Sequence, residues 1–211
     1  RALRRDPRAA ENFPQDVLEL QAWLSDESPL PGVTAFPGTS TNVPLYILGS
    51  SMFGASLAAK LGLPYSFASH FAPQHLEQAT TYYRENYQPS ERYPEPYCIA
   101  AVNVTAAATT EDAKRQQEVV HRQRVRSFVE RQGTPLTDAQ LNSVMHSFQG
   151  QQIIDMLRYT ALGTGSEVKD YLAWFKGHAK ADELMISLQS ASSDEVLDSM
   201  EILADAWGTR G

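Results

Sequence analysis

Gly49-Ser50-Ser51-Met52-Phe53 lies between a short apolar run and a helix-forming segment. Leu45-Tyr46-Ile47-Leu48 suits a strand buried on both faces. The segment after Ser51 reads as a helix to Leu61. Gly62 stands where a left-handed cap belongs, and Pro64 cannot continue the helix. Such a turn presents backbone N–H groups and the positive end of a helix dipole, so phosphate is the ligand class it suits. Tyr65 to Ala68 restarts extended chain, and Ser69-His70 follows. Ligand sites of parallel α/β sheets lie at the C-terminal ends of strands. Ser50, Ser51 and His70 are therefore expected on one edge.

The turn admits other readings. A serine nucleophile elbow needs Gly-x-Ser-x-Gly. Ser51 follows Gly49 correctly, but Phe53 takes the second glycine position, so the close strand–helix approach is expected to be lost. A plain N-cap turn without ligand stays open. The segment lacks the Gly-x-Gly-x-x-Gly fingerprint and the lysine of a Walker loop. His70 reads equally as a ligand-facing group or a strand-end histidine held for structural reasons. His75, His121, His146 and His178 have no metal-ligand spacing, so no metal site is expected. Asn103 and Thr105 interrupt an apolar strand and must find partners, in a ligand or in the sheet.

The rest of the composition narrows the class. Of 211 residues, 42% are hydrophobic and 20% charged, ordinary for a globular chain able to bury a core. A net charge of −7 argues against nucleic acid as partner. The arginines between Arg115 and Arg131 alternate with Glu and Asp, as a solvated helix face does. The single cysteine, Cys98, excludes an internal disulfide and reads as a small buried hydrophobe. No apolar run reaches the roughly 20 residues of a membrane helix, and no signal peptide is evident, so a cytoplasmic chain is expected.

These residues need a frame. Asn12 is expected to cap a helix from Phe13-Pro14, with Val17, Leu20 and Leu24 on one face. Ser25 to Asn42 reads as a long connection. Pro73 to Gln88 reads as a helix with Leu76, Ala79, Tyr83 and Tyr87 on one face. Tyr97 to Ala107 reads as a strand, followed by a long polar helix capped by Thr109 or Thr110 and ended by Gly133-Thr134-Pro135. Thr137 to Gly150 is a weakly ordered insertion with a short helix. Gln151 to Ala161 and Glu167 to His178 read as helices, and Glu183 to Leu188 as a strand. Ser192 or Ser193 caps a last helix, with Val196, Leu197, Met200, Leu203 and Trp207 toward the core. Four strands alternating with helices mean a mostly parallel α/β sheet. The start, Arg-Ala-Leu-Arg-Arg-Asp, reads as the middle of a helix.

LYILGSSMFGASLAAKLGLPYSFASHFAP resembles the middle of bacterial-luciferase-like, flavin-dependent monooxygenases. NFPQDVLELQAWL, PYCIAAVNVTAAATTEDA and GSEVKDYLAWFKGHAKADELMISL extend the resemblance to nearly the whole chain. It implies an α/β fold of the (β/α)8 TIM-barrel type. Residues 1–211 would form a single domain supplying strands five to eight, with the N-terminal half of the barrel absent. It implies FMN, reduced by a separate flavin reductase, with F420 the less favoured cofactor. O2 and a small organic substrate would be the other partners, and the full-length protein a homodimer. The family's phosphate turn matches Gly49, Ser50, Ser51, Met52 and Phe53; its flavin pocket lining matches Ser69 and His70. Catalytic residues are not assignable by this resemblance. A flavin-binding protein of the same fold without turnover is the alternative, and a doubly wound binder of another phosphate ligand is a third.

Overall fold

The computed structural model describes residues 9–130 and 135–208, in two compact units divided after Tyr46. The expectations for Arg1 to Asp6 and for Gly133-Thr134 fall outside the described residues.

The first unit contains helix α1 (Phe13–Leu24) and the connection that follows. Pro14 sits in its first turn, where a missing N–H costs nothing. Asn12 is itself helical at the end of a 3-10 turn and makes no side-chain cap, contrary to the sequence reading. Val17 is buried, but Leu20 is exposed. The connection is tied back to the helix by Asn42 N–H donating to the Leu24 carbonyl and Ser40 N–H to that of Ser25.

The second unit is a five-stranded, wholly parallel sheet with its helices: β1 (Ile47–Gly49), β2 (Tyr65–Phe67), β3 (Cys98–Ala106), β4 (Thr160–Gly163) and β5 (Glu183–Leu188). Strand β3 is the hub, and all nine of its residues are buried. Its Cys98–Ala100 pairs with β2, Asn103–Ala106 with β4 and Ile99–Val104 with β5. A strand has two edges, and the β5 register overlaps both others. Strands β2 and β4 therefore follow one another along one edge of β3, and β5 takes the other. Among the described residues β1 pairs only with β2, and β5 only with β3.

Two expectations are corrected here. Strand β1 is three residues long and packed on one face: Ile47 is buried, whereas Leu48 is 69% exposed. Strand β4 was not expected. Helix α6 (Phe148–Asp155) stops short of Ala161, and Thr160–Gly163 becomes extended by pairing with β3. Four residues are too few for a hydrophobic period to distinguish strand from helix.

Helix α2 (Met52–Leu61) follows β1 and ends on Gly62 at φ +60°. Helix α3 (Leu76–Glu85) is shorter than expected and leaves out Tyr87; Leu76, Ala79 and Tyr83 form its buried face. Helix α4 (Thr110–Glu130) is capped by Thr109, whose hydroxyl accepts from the Asp112 N–H. The presumed weak insertion is two capped helices, α5 (Asp138–Met145) and α6. Thr137 with Gln140 and Ser147 with Gly150 supply the caps, and Leu141 and Ile153 pack on Val125 of α4. Helix α7 (Gly165–His178) begins where Glu167 accepts from the Thr164 N–H and hydroxyl. Helix α8 (Ser193–Trp207) is capped by Ser192. Its buried position is Ser199, whose hydroxyl accepts from the Ala106 N–H of β3. Leu197, Met200 and Trp207, expected in the core, are each about half exposed.

Candidate functional site

The β1–α2 turn brings backbone to backbone. A Cβ placed on Gly49 would lie 3.7 Å from the Gly54 Cα; one on Gly54 would lie 3.4 Å from the Tyr65 ring. The close strand–helix approach therefore exists, contrary to the sequence expectation. Gly54 supplies it one residue beyond the position that an elbow motif would use. Phe53, which occupies that position, is 57% exposed. Gly49 and Ser50 are half-buried, Ser51 is exposed and Met52 half-buried.

Ser51 is the N-cap residue, extended at φ −144° and ψ 167°. Its hydroxyl does not cap the helix, so the first N–H groups of α2 are not claimed by it. Its carbonyl accepts from the Tyr65 hydroxyl at 3.2 Å. Burial, and secondarily Cys98, push the Tyr65 phenol well above its ordinary pKa, which keeps it a donor. Neither Ser50 nor Ser51 hydrogen-bonds a histidine among the described residues, so no activated nucleophile is assembled at this turn. What the turn offers is a helix head with small, polar residues in front of it.

Ser69 and His70 follow β2 on the same edge of the sheet. Ser69 is fully buried and donates its hydroxyl to the Ala101 carbonyl at 2.5 Å. Its proton is thus committed within the sheet. His70 is half-buried, with its ring edge-on to Phe71 at 4.6 Å between centroids. Its Nδ1 is shut off from water and has no partner among the described residues. Desolvation, with a smaller contribution from the Arg124 charge, lowers its pKa below the usual histidine range. We expect an NMR titration to find His70 neutral at pH 7, with a midpoint below about 6.5. A midpoint above that value would mean a carboxylate faces the ring.

The polar pair in β3 has a role that the sequence left open. Asn103 donates from Nδ2 to the His70 carbonyl at 2.7 Å, and Thr105 donates to the Gln189 carbonyl at 2.5 Å. They staple the ends of β2 and β5 to the central strand. The Asn103 Oδ1, also buried, keeps no partner among the described residues. The legible signal was two polar residues at alternate positions in an apolar strand, which puts both on one face. Cys98 is buried, and desolvation pushes its thiol up to about 12, so it is inert at neutral pH. Among the described residues, no group of three or more His, Cys, Asp or Glu could hold a metal. No described helix is long and apolar enough to cross a membrane.

Residues 18–207 match the family model described as luciferase-like monooxygenase. The chain belongs to the luciferase-like monooxygenase family. This luciferase-like chain is 36% identical over 203 residues to a luciferase-like monooxygenase of Escherichia coli K12, covering 92% of the chain and 58% of that protein. It is 34% identical over 215 residues to the uncharacterized protein YvbT of Bacillus subtilis, covering 100% of the chain and 63% of YvbT. Among solved structures, apo-MsnO8 superposes with a TM-score of 0.77 at 26% identity, covering 99% of the luciferase-like chain and 66% of that one. The long-chain alkane monooxygenase LadA shares the fold at 15% identity and TM-score 0.56. So does the coenzyme F420 dependent tetrahydromethanopterin reductase of Methanopyrus kandleri, at 14% and 0.53. The chain spans 58–66% of the length of the first three proteins.

Proposed function

We propose that this chain is the flavin-anchoring half of a monooxygenase that uses reduced FMN and O2 to oxygenate a small organic substrate. In this reading β1, β2, β3 and β5 are strands five to eight of a (β/α)8 barrel, and β4 is an addition beside strand seven. The edges of β1 and β5 left unpaired among the described residues are where the other four strands would pair. The observation that carries the reading is the β1–α2 turn. Gly49 and Gly54 bring the strand end against the head of α2, whose first N–H groups the Ser51 hydroxyl does not claim, at the C-terminal end of a parallel sheet where a phosphate would be held. Gly49, Ser50, Ser51, Met52 and Phe53 would hold that phosphate.

The groups along the sheet edge beside the turn suit a polar ring system. The unpartnered His70 Nδ1 and Asn103 Oδ1 are a donor-or-acceptor and an acceptor, one strand and two strands away. Ser69 would border the ring through its backbone and fix the β2 end through its bond to Ala101. Reduced flavin, when bound, supplies the electrons for activating O2; the chain supplies binding, orientation and exclusion of water. FMN is preferred over F420, although fold neighbours include enzymes of the latter kind. A separate flavin reductase, a cytoplasmic setting and a homodimer of the full-length protein complete the proposal.

The test is oxygen uptake by the full-length protein with NADH, FMN and a flavin reductase. Uptake that rises with an organic substrate, with one oxygenated product formed, supports the proposal. Tight FMN binding with no product from any substrate would reduce it to flavin binding. No affinity for FMN or F420 would overturn it.

A further inference from the structure

We infer that the first turns of α4 and helix α8 form a binding site for a small alkylammonium ligand, with Asp198 and Gln116 as its polar contacts. The site stands whether or not the chain binds flavin.

A cavity of about 420 Å3 lies between the residues after β3, the first turns of α4 and helix α8. That size falls within the range of small-molecule sites, about 300–1,000 Å3. Two contacts fix its walls. Ser199 of α8 accepts from the Ala106 N–H at the end of β3. Arg115 of α4 donates to the Glu195 carboxylate of α8 at 2.7 Å. The spacing of the two helices is thus set before any ligand arrives.

The lining is acidic. Arg115 is the one cation among the described lining residues, and its guanidinium is already engaged by Glu195 and, at 3.9 Å, by Asp112. Glu201 and Asp205 also line the cavity, but each has interactions of its own, and the site is built without them. Asp198 remains. It is exposed on α8 and forms no ion pair among the described residues. On the α4 side, Gln116 lines the cavity and is only 4% exposed, yet its Oε1 has no partner among the described residues. A buried amide oxygen without a donor is costly, and a ligand N–H would satisfy it.

A carboxylate and an amide oxygen together select a cationic donor. An ammonium group has three N–H bonds to divide between them. Among the described residues no group of three or more His, Cys, Asp or Glu could hold a metal, so the cation that fits is organic. Ile202 lies one turn from Asp198 on the same face of α8, and Ala106, Ala107 and Ala108 add a small apolar wall. A short alkyl chain suits that part of the space.

The probe is n-butylammonium, with 1-butanol and butyrate as neutral and anionic controls, titrated calorimetrically into the full-length protein at neutral pH and low ionic strength. Wild type is expected to bind butylammonium saturably and to bind neither control. Asp198→Asn should raise Kd by about fivefold, the upper range for an exposed ion pair. Gln116→Met, similar in length but without the acceptor, should raise it by about three- to tenfold, the range for one neutral hydrogen bond. Asp194→Asn neutralises a carboxylate of α8 outside the lining and should leave Kd unchanged. Gln116→Met removes an unsatisfied acceptor, so its melting temperature should be no lower than that of wild type. Absence of saturable binding, comparable binding of 1-butanol, or equal weakening by Asp194→Asn would overturn the inference. So would an unchanged Kd in Gln116→Met, or a melting temperature several degrees lower, which would show that the amide is already satisfied within the fold. Butylammonium binding in a protein without flavin affinity would leave this site standing and count against the flavin reading alone.

Discussion

Gly62→Ala is expected to destabilise the chain by about 2–4 kcal/mol, the sum of a left-handed backbone strain and an overpacking cost. Gly62 sits at φ +60°, where an L side chain is strained. An added Cβ would also stand 2.5 Å from the Gln88 carbonyl oxygen and 2.9 Å from the Ser90 Cβ. Neither neighbour yields easily. Gln88 N–H donates to the Ala59 carbonyl at the end of α2, and the Ser90 hydroxyl donates to the Gly62 carbonyl at 2.9 Å. The residues after α3 are thereby locked to the end of α2, and α2 carries the candidate phosphate turn at its other end. Urea unfolding followed by circular dichroism measures the effect. A change below about 0.5 kcal/mol, the ordinary range for a neutral surface substitution, would show that this turn does not hold α2.

Ser51→Asp is expected to separate folding from cofactor binding. An aspartate is as good an N-cap as serine and complements the helix dipole, so stability should stay level or rise by up to about 1 kcal/mol. The same carboxylate would face the flavin phosphate. Two unit charges about 5 Å apart at an effective dielectric constant near 20 repel by about 3 kcal/mol, more than 100-fold in Kd. FMN affinity should therefore collapse at low ionic strength and recover partly in salt, while riboflavin binding is unaffected. Equal losses of FMN and riboflavin would indicate a packing defect. Unchanged FMN binding would place the phosphate elsewhere.

What was legible in the sequence follows the length and purity of each signal. The seven apolar residues among the nine of β3 and the Gly62-Leu63-Pro64 stop after α2 were readable because propensity and pattern agree there. Strand β4 was hidden because Thr160–Gly163 owes its conformation to pairing with Asn103–Ala106, a contact no local window contains. The outward turn of Leu48, and the exposure of Leu197 and Met200, escaped for a related reason. Their hydrophobic period is right for a buried face, but among the described residues little covers them. At the site, the strand–turn–helix of β1 and α2 was legible, yet its close approach was assigned to the wrong position. Motif spacing put the second glycine at 53; the backbone brings Gly54 to Gly49 instead. Asn103 and Thr105 were visible as polar intrusions in a buried strand. Their staple partners, the carbonyls of His70 and Gln189, lie in chain segments far from one another and could come only from the fold.

The most direct test of the central claim is equilibrium binding of FMN and riboflavin to the full-length protein, followed by quenching of flavin fluorescence. The two ligands differ only by the phosphate. A seat at the head of α2 predicts FMN binding at least about tenfold tighter, the least a charge-assisted set of N–H contacts should contribute. Equal affinities, or no binding of either flavin, would contradict it.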